Sequence, residues 1–137
     1  MSHISKVETQ IKDLVYLKKV LDVLGMKYRE AEEGKTISLS GFSKKEIITD
    51  CIMEIKTGSA YSIGVRKTET GYEAVADWWA VETFTGEKRE NILARITRQY
   101  AYETIITKVK DMGYAIVQET EDEKNNIRIS VRRWTET

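Results

Sequence analysis

Hydrophobic and polar positions alternate along the chain in blocks whose period changes from two to about 3.6 and back, which predicts alternating strands and helices. Positions 2–9 carry β-branched Ile4, Val7 and Thr9 in loose alternation and predict a strand. Leu14, Leu17, Leu21 and Leu24 then form one helical stripe, with Asp13 placed to cap its first turn and Gly25 to end it in a left-handed conformation. The segments 26–30 and 36–40 read as strands joined by a hairpin turn around Gly34, with Ile37 and Leu39 on one face of the second. Positions 41–50 suggest a short helical turn, and 51–56 a buried strand. A turn at Thr57-Gly58 and a hairpin at Thr70-Gly71 bring the face of Tyr61, Ile63 and Val65 against Tyr72, Ala74 and Ala76. After Gly86 the longest periodic run puts Leu93, Ile96, Tyr100, Ala101, Thr104, Ile105, Val109 and Met112 on one helix face, closing at Gly113. Segments 114–120 and 127–134 form a last hairpin around an acidic and Asn-rich turn. In its second strand Ile127, Ile129 and Val131 alternate with Arg128, Ser130, Arg132 and Trp134.

This pattern predicts an α+β fold, with one antiparallel sheet and two main helices in two layers. The grammar of helix, glycine, strand, turn and strand occurs twice, ending the helices at Leu24-Gly25 and Met112-Gly113. It suggests a pseudo-duplicated, ferredoxin-like variant. With 137 residues, no proline and no compositional break, a single domain over 1–137 is expected.

Composition narrows the chemistry. The chain has one Cys and one His, too few for an imidazole and thiolate metal site, so no metal and no cofactor is expected. Cys51 sits between apolar neighbours and reads as an inert core thiol, and His3 as a donor to a sheet carbonyl. Glycines fall singly, without a phosphate-cradling loop, and the carboxylate pairs Glu32-Glu33 and Glu121-Asp122-Glu123 sit in charged turns. A non-enzymatic binding module is therefore expected. No apolar run approaches bilayer length and no leader pattern follows Met1, so the expectation is a cytoplasmic protein without a membrane partner. Lys plus Arg equals Asp plus Glu at 22 each, which argues against coating bulk nucleic acid.

Binding would have to be local. Arg95, Arg98 and Tyr102 share a stripe of the long helix, Arg132 and Trp134 end the last strand, and Trp78 ends the central hairpin. Guanidinium groups grip phosphate or carboxylate in bidentate fashion while aromatic rings stack. If these six residues converge, they suit a small anionic ligand such as a nucleotide. If Trp78, Arg98 and Arg132 lie on separate faces, that pocket does not exist. The competing reading is a protein-protein adaptor or homo-oligomeric assembly protein anchored by exposed aromatics.

The stretches Met1-Ser2-His3-Ile4, Ile11-Lys12-Asp13-Leu14 and Leu24-Gly25 resemble the hypothetical chloroplast open reading frame thirty-five family of plastids, cyanobacteria, other bacteria and phages. The resemblance continues through Gly71-Tyr72-Glu73, Ala76-Asp77-Trp78-Trp79, positions 95–102 and positions 128–134, and so spans nearly the whole chain. Position 4 holds Ile where the family pattern has Phe. The family implies no assigned enzymatic activity and no settled ligand; its bacterial members, which stand beside ring-forming ATPases, imply an adaptor role.

Overall fold

The structure is a computed structural model that describes residues 4–124 and 126–133. His3 and Trp134 lie outside the described residues. The elements in chain order are β1 (Ile4–Glu8), α1 (Leu14–Leu24), β2 (Tyr28–Glu30), β3 (Ile37–Ser40), β4 (Ile47–Cys51), β5 (Met53–Ile55), β6 (Ile63–Lys67), β7 (Tyr72–Asp77), α2 (Trp78–Thr85), α3 (Arg89–Asp111), β8 (Tyr114–Glu121) and β9 (Ile127–Arg133). The fold is α+β.

β1, β7, β6, β5 and β2 pair in that order, antiparallel throughout, to form a five-stranded sheet. Strand alternation gives this sheet two different faces. Met53, Ile55, Ile63, Val65, Ala74 and Ala76 point to one side, where they meet Leu17, Val20 and Leu21 of α1 and Ile92, Ile96 and Tyr100 of α3. The predicted caps of α1 form. Asp13 accepts a hydrogen bond from Val15 N at 2.8 Å, and Gly25 adopts φ 71°. The Tyr100 hydroxyl accepts hydrogen bonds from the backbone N–H groups of Lys12 and Asp13, both at 3.0 Å, which ties α3 to the start of α1.

The opposite sheet face is covered by the β3–β4 hairpin, where Ile37, Leu39, Ile48 and Cys51 pack on Val75. That close approach depends on Gly64 of β6. A Cβ there would stand 2.4 Å from Cys51 Sγ and 3.2 Å from Leu39 Cδ1. The glycine thus leaves the gap that the thiol fills.

Several expectations differ from what forms, beginning with the single sheet: the described strands make three antiparallel sheets. The hairpin between β2 and β3 is absent, because β2 pairs with β5 and β3 with β4. Ala31 N donates to Ile52 O, holding the end of β2 to the main sheet while the Gly34 turn carries the chain across to its other face. The helix-strand-strand unit therefore does not recur as a structural repeat: after α1 its two strands part, and after α3 they pair with each other. Positions 41–50 hold a turn closed by Glu46 N donating to Ser43 O, followed by β4, in place of a helical turn. Finally, 78–85 forms a short helix that periodicity over eight residues does not reveal.

Candidate functional site

α3 is 23 residues long, about 35 Å at 1.5 Å per residue, roughly twice the length of α1. The chain reverses at Gly113, φ 86°, and the β8–β9 hairpin runs back along α3. Two side-chain contacts pin it there: Arg98 Nη2 donates to Glu121, and the Tyr102 hydroxyl donates to Glu119 Oε1 at 2.6 Å. Between helix and hairpin lies an open cleft of about 640 Å³, with Arg95, Arg98 and Tyr102 on the helix side, Ile127 and Ile129 on the hairpin side, and Lys124 at the tip.

The cleft's charges are largely spent on one another. Arg95 holds Glu87 through two hydrogen bonds of 2.5 and 3.2 Å. This pairing pushes the Glu87 carboxyl below its ordinary range and the Arg95 guanidinium above it. The hydrogen bond to Glu119 raises the Tyr102 phenol to about 12, with burial adding to the effect, because ionising Tyr102 would bring a second negative charge against the carboxylate. A phenol raised above its unfolded value near 10 contributes stability that is complete below pH 10 and is lost as pH climbs through about 12. A tyrosinate absorbance titration of the protein minus that of Tyr102→Phe should isolate a step near 12, and Glu119→Gln should return it toward 10. A Tyr102 step that stays near 10 in the unmodified protein would remove this hydrogen bond from solution.

Of the six predicted site residues, the fold brings Arg95, Arg98 and Tyr102 to this cleft and leaves Trp78 and Arg132 elsewhere, while Trp134 lies outside the described residues. Trp78 is 4% exposed, inside the main core, with its indole Nε1 donating to Ser5 O at 3.0 Å. Arg132 lies on the hairpin face turned away from the cleft, since Ile127 and Ile129 take the inward positions and strand alternation sends Arg128 and Arg132 outward. Trp78 is thus in the core while Arg98 and Arg132 are on different faces, and the single arginine–tryptophan pocket is not assembled.

A second surface feature escaped the sequence reading. Phe42, Tyr61, Trp79 and Phe84 form a continuous ring cluster: Phe42 meets Trp79 edge-on at 5.0 Å, and Phe84 stacks on Tyr61 at 5.3 Å and on Phe42 at 6.1 Å. Phe42, Trp79 and Phe84 are 48%, 37% and 52% exposed, so the cluster is surface and not core. Asp77 builds it. One carboxylate oxygen accepts from Ala80 N at 3.1 Å, capping α2, and the other accepts from Phe42 N at 2.8 Å, drawing the β3–β4 turn against that helix. The signal available in sequence was two phenylalanines standing alone in otherwise polar segments.

Among the described residues no group of three or more His, Cys, Asp or Glu is placed to hold a metal ion. Cys51 is fully buried, and burial pushes its thiol pKa upward. No helix of the described residues is long and apolar enough to cross a membrane.

Sheet, covering hairpin and helix–hairpin cleft together define an antiparallel α+β protein whose distinguishing features are on its surface. The chain belongs to the family described as "Protein of unknown function (DUF1257)", whose model matches residues 20–130. It is 33% identical to "Uncharacterized protein ycf35" of Guillardia theta and 30% identical to that of Cyanophora paradoxa, each over 98% of both chains. The corresponding protein of Pyropia yezoensis is 29% identical over the same shares. No solved structure matches the chain.

Proposed function

We propose that this protein works by binding and not by catalysis, as an adaptor that docks another protein on the Phe42, Tyr61, Trp79 and Phe84 cluster. The observation that supports the reading is the exposure of Phe42, Trp79 and Phe84, in contact with one another and with half-buried Tyr61. Contiguous apolar surface of this kind is rare without a use, and aromatic side chains anchor interfaces because they bury much area while freezing few torsions. Exposed Lys44 and Lys45 follow Phe42 within the same turn, which suits a partner segment with an apolar anchor and acidic flanks. The adaptor role implied by the family resemblance is the same reading.

The cleft favours a small anion less. It does gather Arg95, Arg98 and Lys124 beside Tyr102, but an incoming phosphate would have to displace Glu87 and Glu121 from the two guanidinium groups. A protein docked on the aromatic cluster displaces only water.

Phe42→Ala combined with Phe84→Ala tests the proposal, because both side chains are exposed and the fold should persist by circular dichroism. Binding of a partner captured from native extract should weaken by at least about tenfold, since a hot-spot pair contributes more than 1.4 kcal/mol. Undiminished capture by the folded variant would overturn it.

A further inference from the structure

β8 is in contact with α3, and among the described residues β9 pairs only with β8. The other edge of β9 has no strand partner among the described residues and so offers backbone N–H and C=O groups, the usual template for an added strand. Apart from Arg133 at its end, which shares the row of Ile127 and Ile129, the charged side chains of this ribbon are sorted by face. Its acidic residues Glu119 and Glu121 turn inward to Tyr102 and Arg98. Its outward row reads Arg128, Ser130 and Arg132, opposite Thr120, Gln118 and Ala115 on β8, so no carboxylate faces either arginine across the ladder. Both arginines are exposed and neither has an ion pair among the described residues.

We infer that β9 is a docking edge for an extended acidic segment of a partner protein, which adds as a strand and sets carboxylates against Arg128 and Arg132. The inference rests on the protein-binding reading and names the chemistry of the partner. A second copy of the chain is a poor occupant, because antiparallel pairing of two β9 strands about Ser130 puts Arg128 opposite Arg132 of the other copy, like against like. A nucleic acid is a poor one too: the chain has no net charge to attract a polyanion, and nucleic acid offers no strand to complete the open ladder. Arg128 and Arg132 are four residues apart, about 13 Å along a strand, so carboxylates at alternate positions of an extended peptide reach both.

A fluorescently labelled synthetic peptide alternating Val and Glu is the probe, titrated against the full chain by anisotropy with backbone amide shifts recorded in parallel. Binding should perturb amides along β9, fall with added salt, and weaken about tenfold or more in Arg128→Glu/Arg132→Glu. If that variant fails to fold, Arg128→Gln/Arg132→Gln serves with a smaller expected loss. Equal binding of a Val and Lys peptide, no effect of either arginine variant, or stronger arginine-dependent binding of a uridine oligonucleotide would each overturn the inference. The adaptor reading fails separately. Partner capture lost in Phe42→Ala/Phe84→Ala but untouched in the arginine variants sinks the β9 edge alone.

Discussion

Replacing Trp78 with alanine is expected to cost about 3–5 kcal/mol of stability, the largest loss from any single aromatic truncation in this chain. The indole is 4% exposed and packs in the cluster that also contains Val81, Ile92 and Ile96, so its removal leaves a cavity that helices on both sides cannot collapse to fill. Its Nε1–H also serves Ser5 O, tying the start of α2 to the edge strand β1. The Arg89 guanidinium sits 6.0 Å above the ring. Trp78→Phe keeps much of the volume but leaves that carbonyl without its donor, and should cost less than alanine by the cavity it avoids. Trp79→Ala is the control, since Trp79 is exposed and its truncation should change stability little while it damages the aromatic cluster. Urea unfolding followed by circular dichroism measures all three. A loss below about 1 kcal/mol for Trp78→Ala would show that the indole is not part of the core.

The contrast between two adjacent tryptophans shows where sequence reading reached its limit. Period and caps were legible: Asp13 caps α1, Gly25 and Gly113 take left-handed conformations, and the β6–β7 and β8–β9 hairpins pair as the alternation predicts. These depend on neighbours a few residues away. Sheet order did not follow, because the choice of β2 to pair with β5 and of β3 to pair with β4 depends on which apolar faces need covering, and Gly64 with Cys51 decides it from 13 positions apart. The same holds for the site. Arg95, Arg98 and Tyr102 share a helix stripe by spacing alone and line one cleft, whereas Trp78 opens the unrecognised helix α2 and is buried in the main core. Strand alternation was sufficient to place Arg132 opposite Ile127 and Ile129, and hence away from whatever those isoleucines faced. Grouping it with the helix arginines ignored that rule. The aromatic cluster joins a turn, a loop and a helix distant in sequence, so only the fold could show it.

Asp77 joins stability to the proposed docking surface, and its replacement by alanine is expected to cost about 3 kcal/mol while weakening partner binding. The side chain is 2% exposed and accepts two backbone hydrogen bonds, one from Ala80 N in the first turn of α2 and one from Phe42 N in the β3–β4 turn. Alanine leaves both donors without their partner in a site where water enters poorly, so the loss should exceed that of an exposed helix cap. Asp77→Asn separates the two roles. Because the two N–H groups reach different carboxylate oxygens, the one amide oxygen replaces only one of these acceptors while the NH₂ group faces the other donor to donor; if the oxygen caps α2, the β3–β4 turn is released. Thermal unfolding should then show an intermediate loss, and Phe42 should part from Trp79, seen as a change in their near-ultraviolet circular dichroism. Docking on the cluster should fall in the folded Asn variant although none of the four rings has been altered. Docking equal to that of the unmodified protein would mean that the rings assemble without the carboxylate, since Phe84 and Tyr61 would then be sufficient to hold Phe42 in place.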